Sequence, residues 1–146
     1  AQKKYDLAVE TILNAIKINP KNSVSIFAAC KVYSKKRFYT IAIEHCEKAL
    51  VLNPNGINLM NRLAWLYAKK SIKLELALEL INKSIKVSPN RDDFIDTLSE
   101  VLFIQGNVIM AEKAISKAIK LKPNNAYYKQ QLRRFKNSRL LEAIGN

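Results

Sequence analysis

Few side chains in this sequence have the types and spacing that catalysis or metal binding requires. His45 is the single histidine, and the two cysteines, Cys30 and Cys46, do not have metal-ligand spacing. Neither a glycine-rich phosphate loop nor a nucleophile motif is present in the sequence. We therefore expect no catalytic residue, no metal site and no cofactor. We expect a protein that is not an enzyme, unless a catalytic domain lies outside these residues.

The densest group of carboxylates is Asp92, Asp93, Asp96 and Glu100, at the start of a predicted helix. Acidic side chains in a first turn stabilise the positive end of the helix dipole, which accounts for Asp92 and Asp93 without any chemistry. Asp96 and Glu100 follow at a spacing of four and share one helix face. Their role depends on what that face contacts.

The chain is strongly basic, because 25 Lys and Arg residues against 12 Asp and Glu residues give a net charge of +13. Such a charge favours an acidic partner, nucleic acid or an anionic membrane surface. The lysines are dispersed, however, and a solvated lysine coat gives the same charge. No run of 18 apolar residues exists, so we expect no membrane span.

The four prolines mark a repeat. Pro20, Pro54, Pro89 and Pro123 each follow a helical, lysine-containing segment, as in "KAIKLKPNN", and are spaced by 34, 35 and 34 residues. Proline cannot continue a helix and moves the preceding residue out of the helical region, so each one predicts a helix end. The 146 residues, 49% hydrophobic and with only three glycines, therefore predict a repetitive, helical fold.

Small residues recur in the same register as the prolines. When proline takes position 32 of each unit, position 20 is always Ala and position 27 is Ala or Ser. With these positions the chain resembles the tetratricopeptide repeat (TPR) family along nearly its whole length. The resemblance implies an all-α, right-handed superhelical solenoid of antiparallel helix pairs. The small residues are Ala8, Ala42, Ala77, Ala111, Ala15, Ala49, Ser84 and Ala118.

The repeat register divides the chain into one TPR domain, 1–146. We expect the second helix of a truncated repeat at 1–22, repeats at 23–56, 57–91 and 92–125, and a C-terminal capping helix at 126–146. An extra residue in "KKSIKLE" delays the third proline. The expected helices are 5–18, 23–35, 39–52, 57–69, 74–87, 92–105, 108–121 and 126–142. A first helix without its pair exposes apolar surface, so self-association through it is one expectation.

The resemblance also implies a concave groove lined by the first helix of each repeat. The expected binding residues in this groove are Phe27, Lys31, Asn58, Asn61, Arg62, Trp65, Lys69, Asp96, Glu100, Gln131 and Arg134. The implied function is a non-catalytic scaffold that binds a protein or peptide partner, and the positive net charge favours an acidic one. The alternatives are a basic RNA-binding repeat protein and a self-assembling scaffold.

Roles for the central groove residues follow from their chemistry. Asn58 and Asn61 can hydrogen-bond a peptide backbone, Arg62 can hold a carboxylate, and Phe27 and Trp65 can accept apolar side chains. In an equally weighted alternative, Arg62 pairs with Asp96 or Glu100 and Trp65 fills space between repeats. Some family members clamp acidic chaperone tails with Lys, Asn and Arg at fixed positions. The matching residues here, Phe27, Lys31, Arg62, Asp93 and Thr97, do not form that clamp.

In the repeat register, Cys30 and Cys46 belong to the two helices of one unit, where their sulfur atoms can approach. We expect two buried, reduced thiols, with a disulfide as the minor alternative. From reduced thiols and composition, we expect the bacterial cytoplasm or the inner face of a membrane.

Overall fold

The computed structural model describes residues 2–145, with side chains from residue 6 onward. This range folds into eight α-helices without a strand, as predicted. Its last helix extends three residues beyond the predicted end, because no glycine or proline interrupts it before Gly145. The helices are α1 (Gln2–Ile18), α2 (Ser23–Lys35), α3 (Tyr39–Leu52), α4 (Ile57–Lys70), α5 (Leu74–Val87), α6 (Asp92–Ile104), α7 (Val108–Leu121) and α8 (Ala126–Gly145).

The helices form two layers. Each helix packs against the next one along the chain, and in addition α2 contacts α4 and α4 contacts α6. The even-numbered helices therefore make one layer and the odd-numbered helices cover its other side. Two apolar clusters fill the space between the layers, one from α2 to α6 and one from α6 to α8. Leu132 and Phe135 of α8 pack into the second cluster.

The residue before each of three prolines ends a helix in the same way. Asn53, Ser88 and Lys122 have φ between −137° and −134° and ψ between 76° and 79°. Each of them still donates its backbone N–H to the carbonyl four residues earlier. The prolines therefore stop α3, α5 and α7 through the restriction that proline imposes on its predecessor, as predicted.

Helix pairs approach closely where the sequence places small side chains. The Ser84 hydroxyl donates to the Ile57 carbonyl across the α4–α5 contact at 3.0 Å. A larger side chain at any of these positions would force the helices apart. Of the small residues predicted at these contacts, those with no exposed surface are Ala42, Ala49, Ala77, Ser84, Ala111 and Ala118.

The turns inside the repeats use left-handed backbone. Arg37 after α2 and Gly106 after α6 occupy equivalent positions, with φ of 62° and 83°. The turn after α4 is different, because Ser71 and Lys73 both have positive φ. The extra residue of this repeat makes α4 one residue longer than α2 and α6.

The two cysteines are joined by a disulfide, so the prediction of reduced thiols is wrong. Cys30 of α2 and Cys46 of α3 have Cα atoms 5.3 Å apart, and neither residue has exposed surface. This close approach follows from their location on facing sides of paired helices, a relationship that the repeat register implied. The expectation of a reducing compartment therefore loses its basis.

Candidate functional site

The predicted binding residues lie on the even-numbered helices. We call their shared surface the inner face. Some of these residues contact one another directly, whereas others line separate depressions of the surface. The residues of the inner face are Phe27 and Lys31 on α2, Asn58, Asn61, Arg62, Trp65 and Lys69 on α4, Asp96 and Glu100 on α6, and Gln131 and Arg134 on α8.

Trp65 is the central aromatic residue of the inner face. Its half-buried indole and the Tyr39 ring form a T-shaped contact, with ring centroids 5.8 Å apart. Two cations lie over the ring: the Arg62 guanidinium at 5.8 Å and the Lys69 ammonium at 5.3 Å from its centroid. Cation–π contacts of this kind contribute about 0.5–1 kcal/mol at exposed sites. Trp65 therefore packs between repeats and also positions cations at the surface.

Glu100 ties three helices of the inner face together. Its carboxylate is buried and accepts hydrogen bonds from Lys69 of α4, at 2.9 Å, and from Arg134 of α8. The Arg134 guanidinium also lies over the rings of Phe103 and Phe135, at 4.6 and 5.0 Å from their centroids. Both cations are thus held in place by a carboxylate that the protein itself supplies.

Asp96 lies one helical turn before Glu100 and has no such partner. Its Oδ1 atom is buried and has no hydrogen-bond partner. Burial, reinforced by the negative charge of Glu100, raises the pKa of Asp96 to about 7, although Lys69 and Arg134 act in the opposite direction. The side chain therefore changes between neutral and charged forms near neutral pH.

Arg62 and Asn61 also present unpaired polar atoms. The Arg62 Nε and the Asn61 Oδ1 are buried without a hydrogen-bond partner. Burial lowers the pKa of Arg62, and the charge of Asp93 partly offsets this effect. The expected alternative, a pair between Arg62 and Asp96 or Glu100, is wrong for the described side chains, since Glu100 binds Lys69 and Arg134 instead.

A pocket of about 460 Å³ opens beside Arg62, between α1, α2 and α4. Apolar side chains form much of its lining, and three basic side chains complete it. The sequence analysis did not predict that α1 would line this pocket. The expectation that α1 exposes apolar surface was the signal that could have indicated it. The lining residues are Ala8, Ile12, Ala28, Lys31, Val32, Lys35 and Arg62. On other sides α1 also exposes Leu7, Leu13 and Ile18.

The remaining predicted residues are less closely connected. Lys31 lies over the Phe27 ring, 5.1 Å from its centroid. Phe27 and Asn58 line a second depression at the N-terminal ends of α2 and α4. Gln131 is buried and donates its amide N–H to the Tyr127 hydroxyl. The polar head of Gln131 is therefore already engaged within the protein.

The first carboxylates of α6 have specific partners in addition to the helix dipole. Arg91 donates two hydrogen bonds of 2.7 Å to the Asp93 carboxylate. Asp92 accepts a hydrogen bond of 2.6 Å from the Tyr128 hydroxyl and lies 3.0 Å from the Lys122 ammonium. These contacts fix the start of α6 against α8 and leave Asp96 as the carboxylate of this group with an unpaired buried oxygen.

Within the described residues there is neither a membrane-spanning helix nor a cluster of metal ligands. Between residues 2 and 145, no helix has both the length and the apolar character needed to cross a membrane. The described His, Cys, Asp and Glu side chains do not form a group of three or more that could hold a metal ion.

Comparison with curated proteins gives one partial match. Mouse sperm-associated antigen 1 is 39% identical over 67 residues, which are 46% of this chain. The matched segment spans only 7% of that protein. No protein-family model matches the chain.

Solved structures match much more of the chain. MamA from Desulfovibrio magneticus superposes with a TM-score of 0.80 at 17% identity, covering 92% of this chain and 76% of that one. The Sgt2 TPR domain of Aspergillus fumigatus gives a TM-score of 0.70 at 21% identity, with 85% and 82% covered. The first TPR of Spaghetti (RPAP3), bound to the HSP90 peptide SRMEEVD, gives 0.69 at 19% identity, with 80% and 91% covered.

At such low identities these matches establish the fold and leave the ligand open. The chain therefore has the tetratricopeptide-repeat fold, a right-handed solenoid of antiparallel helix pairs.

Proposed function

We propose that this chain is a non-catalytic scaffold that binds a peptide, or an extended segment of a partner protein, along the inner face. One observation carries the proposal. Of the four buried side-chain atoms without a hydrogen-bond partner in the described residues, three belong to Asn61, Arg62 and Asp96. Buried polar atoms are nearly always paired in folded proteins, so this concentration on one surface favours a bound ligand that supplies the partners.

The neighbouring side chains are suited to hold such a ligand. Lys69 and Arg134 are fixed by Glu100, and Trp65 is fixed by Tyr39, before any ligand arrives. Side chains that are already ordered lose little entropy on binding, which favours affinity. The pocket between α1, α2 and α4 offers apolar surface for a ligand side chain.

The proposal does not extend to the HSP90 peptide that the Spaghetti domain binds. The chaperone-tail clamp is not matched in this sequence. Asp93, at one of the clamp positions, brings a negative charge that would repel an acidic tail.

The proposed scaffold consists of the repeats 23–56, 57–91 and 92–125. In this division the segment 1–22 supplies α1 as the second helix of a truncated repeat. The segment 126–146 supplies α8 as the capping helix. Lys129, Arg133 and Lys136 of α8 are exposed, as a capping surface requires.

A random-sequence peptide display library tests the proposal. The wild type and a Lys86→Ala/Lys120→Ala control, altered on the odd-numbered helices, should enrich the same peptides. The Arg62→Ala/Trp65→Ala variant should bind those peptides at least about tenfold more weakly, as measured by fluorescence anisotropy, because aromatic and arginine side chains dominate interfaces. Failure to enrich any peptide, or equal affinity for the double variant, would refute the proposal.

A second candidate function, RNA binding, rests on the odd-numbered helices. Lys17, Lys48, Lys86, Lys117 and Lys120 are exposed near the C-terminal ends of these helices. None of them forms an ion pair within the described residues. A phosphate-binding surface predicts an RNA affinity that falls steeply with salt and falls further in a Lys86→Gln/Lys117→Gln/Lys120→Gln variant. RNA binding that is undetectable at low salt would exclude this function.

A further inference from the structure

Two places of opposite charge preference lie on neighbouring helices of the inner face. The first surrounds Arg62 on α4, and the second surrounds Asp96 on α6. The helices α4 and α6 pack against each other and are bridged by the Lys69–Glu100 ion pair. A single extended ligand can therefore reach both places.

The first place favours an acidic group beside an apolar one. Lys31, Lys35 and Arg62 contribute three positive charges to the lining of a pocket that Ile12 and Val32 make apolar. None of these three cations forms an ion pair within the described residues, although the negative charge of Asp93, which is itself paired with Arg91, acts on Arg62 from α6. The Arg62 Nε is a buried donor without an acceptor, and a ligand carboxylate or carbonyl oxygen would supply one.

The second place favours a positively charged group. The two cations near Asp96 are Lys69 and Arg134, and both donate to Glu100. The Asp96 Oδ1 therefore stays buried without a donor, and the acidic groups Glu100 and Asp93 lie on the same helix. A lysine or arginine side chain of a ligand would supply the missing donor to the Asp96 carboxylate.

The usual spacing of packed helices sets a minimum separation between the two ligand groups. Packed helices lie about 8–10 Å apart, and an extended chain advances about 3.3 Å per residue. The step from α4 to α6 therefore corresponds to about three residues of extended peptide.

We infer, on the basis of the proposed function, that the inner face selects a peptide segment carrying an acidic side chain and, about three residues away, a lysine or arginine side chain. The acidic side chain binds at Arg62 and the basic side chain binds at Asp96. A uniformly acidic segment is disfavoured, because its second carboxylate would approach Asp96 and Glu100. A uniformly basic segment is disfavoured as well, because one of its positive charges would approach Arg62.

The same random-sequence display library tests this inference when it is selected in parallel on the wild type and on Asp96→Asn. This substitution keeps the shape of the side chain and removes its charge. Peptides enriched on the wild type should combine an acidic and a basic residue at the stated spacing. On Asp96→Asn the acidic preference should remain and the basic preference should disappear.

Direct affinities complete the test. For an enriched peptide, replacement of its basic residue by Gln should weaken wild-type binding about tenfold and should leave binding to Asp96→Asn within about twofold. Circular dichroism melting of both proteins checks that the variant is folded. If Asp96→Asn is unfolded, the peptide pair is compared on Lys69→Met instead. This substitution removes a positive charge near Asp96, so the preference for a basic residue in the peptide should strengthen.

The outcomes separate the two proposals. Enriched peptides that bind the inner face without a basic residue, or a basic preference that persists in Asp96→Asn, would overturn this inference and leave the proposed function intact. A wild type that enriches no peptide would overturn both.

Discussion

The Lys69 ammonium lies 2.9 Å from the Glu100 carboxylate and joins α4 to α6 across the inner face. Because Glu100 also binds Arg134, this one buried carboxylate holds cations from two neighbouring helices. The arrangement stabilises the fold and at the same time leaves Asp96 without a cationic partner. The stability of the array and the charge preference that we infer for its inner face therefore have a common origin.

Glu100→Gln should destabilise the protein by about 1–3 kcal/mol, because two partly buried cations lose their carboxylate. Urea denaturation followed by circular dichroism measures the change. The control is Lys83→Ala, which removes the exposed Glu79–Lys83 pair and should cost less than about 0.5 kcal/mol. Equal losses for the two variants would contradict the role assigned to Glu100.

Removal of the disulfide should destabilise the first full repeat. The bond closes a loop with a sequence separation of 16, and a loop of that length corresponds to about 3 kcal/mol in the chain-entropy model. Thermal unfolding with and without a reductant measures the effect, and a Cys30→Ala/Cys46→Ala variant should not respond to the reductant. Mass spectrometry after thiol alkylation under denaturing, non-reducing conditions should find no labelled cysteine. Two labelled cysteines would contradict the bond.

The left-handed turns predict effects of different size at two equivalent positions. Gly106 has φ of 83° with open space around its Cα, so Gly106→Ala should cost about 1 kcal/mol through backbone strain alone. Arg37 adopts φ of 62° with a side chain, so Arg37→Gly should relieve strain, offset by the larger backbone entropy that glycine has in the unfolded state. We expect its net effect to lie within about 0.5 kcal/mol of zero. Chemical denaturation of the two variants checks the contrast.

Asp96 should make stability depend on pH. Its pKa rises from 3.8 to about 7 on folding, so the folded state binds more protons than the unfolded state between these values. The contribution of Asp96 is therefore present at low pH and is lost as pH rises through this window, with a slope of at most about 1.4 kcal/mol per pH unit.

Asp96→Asn isolates this contribution. The difference in unfolding free energy between wild type and variant should shift in favour of the variant from about pH 5 to about pH 8. The contributions of Glu47 and Asp92 to the pH dependence are the same in both proteins and cancel in this difference. Their pKa values are lowered, so these contributions change at more acidic pH. A difference that does not change with pH would show that Asp96 titrates normally.

The helices and their ends were predictable because they depend on local chemistry. The prolines fix the ends of α3, α5 and α7 through their immediate neighbours, Asn53, Ser88 and Lys122. The closely packed Ala and Ser residues were predictable for a related reason: a fixed period places them at equivalent helix contacts.

The partners of the inner-face side chains were less predictable, because they depend on distances between helices. Glu100 was a candidate for binding a ligand, but it is paired with Lys69 and Arg134. The pairing of Arg62 with a carboxylate of α6 was a reasonable expectation from charge alone, yet the register between α4 and α6 brings Lys69 to Glu100 instead. Sequence periodicity identifies which face a residue occupies, whereas the partner it meets depends on the offset between helices.

The backbone angles at Asn53, Ser88 and Lys122 are nearly identical, so α3, α5 and α7 end in equivalent turns. The same backbone turn therefore joins successive repeats, so a repeat inserted or deleted at one of these turns can keep the local packing of its neighbours. Gene duplication can lengthen or shorten such an array one repeat at a time, and the length of its inner face grows with the number of repeats.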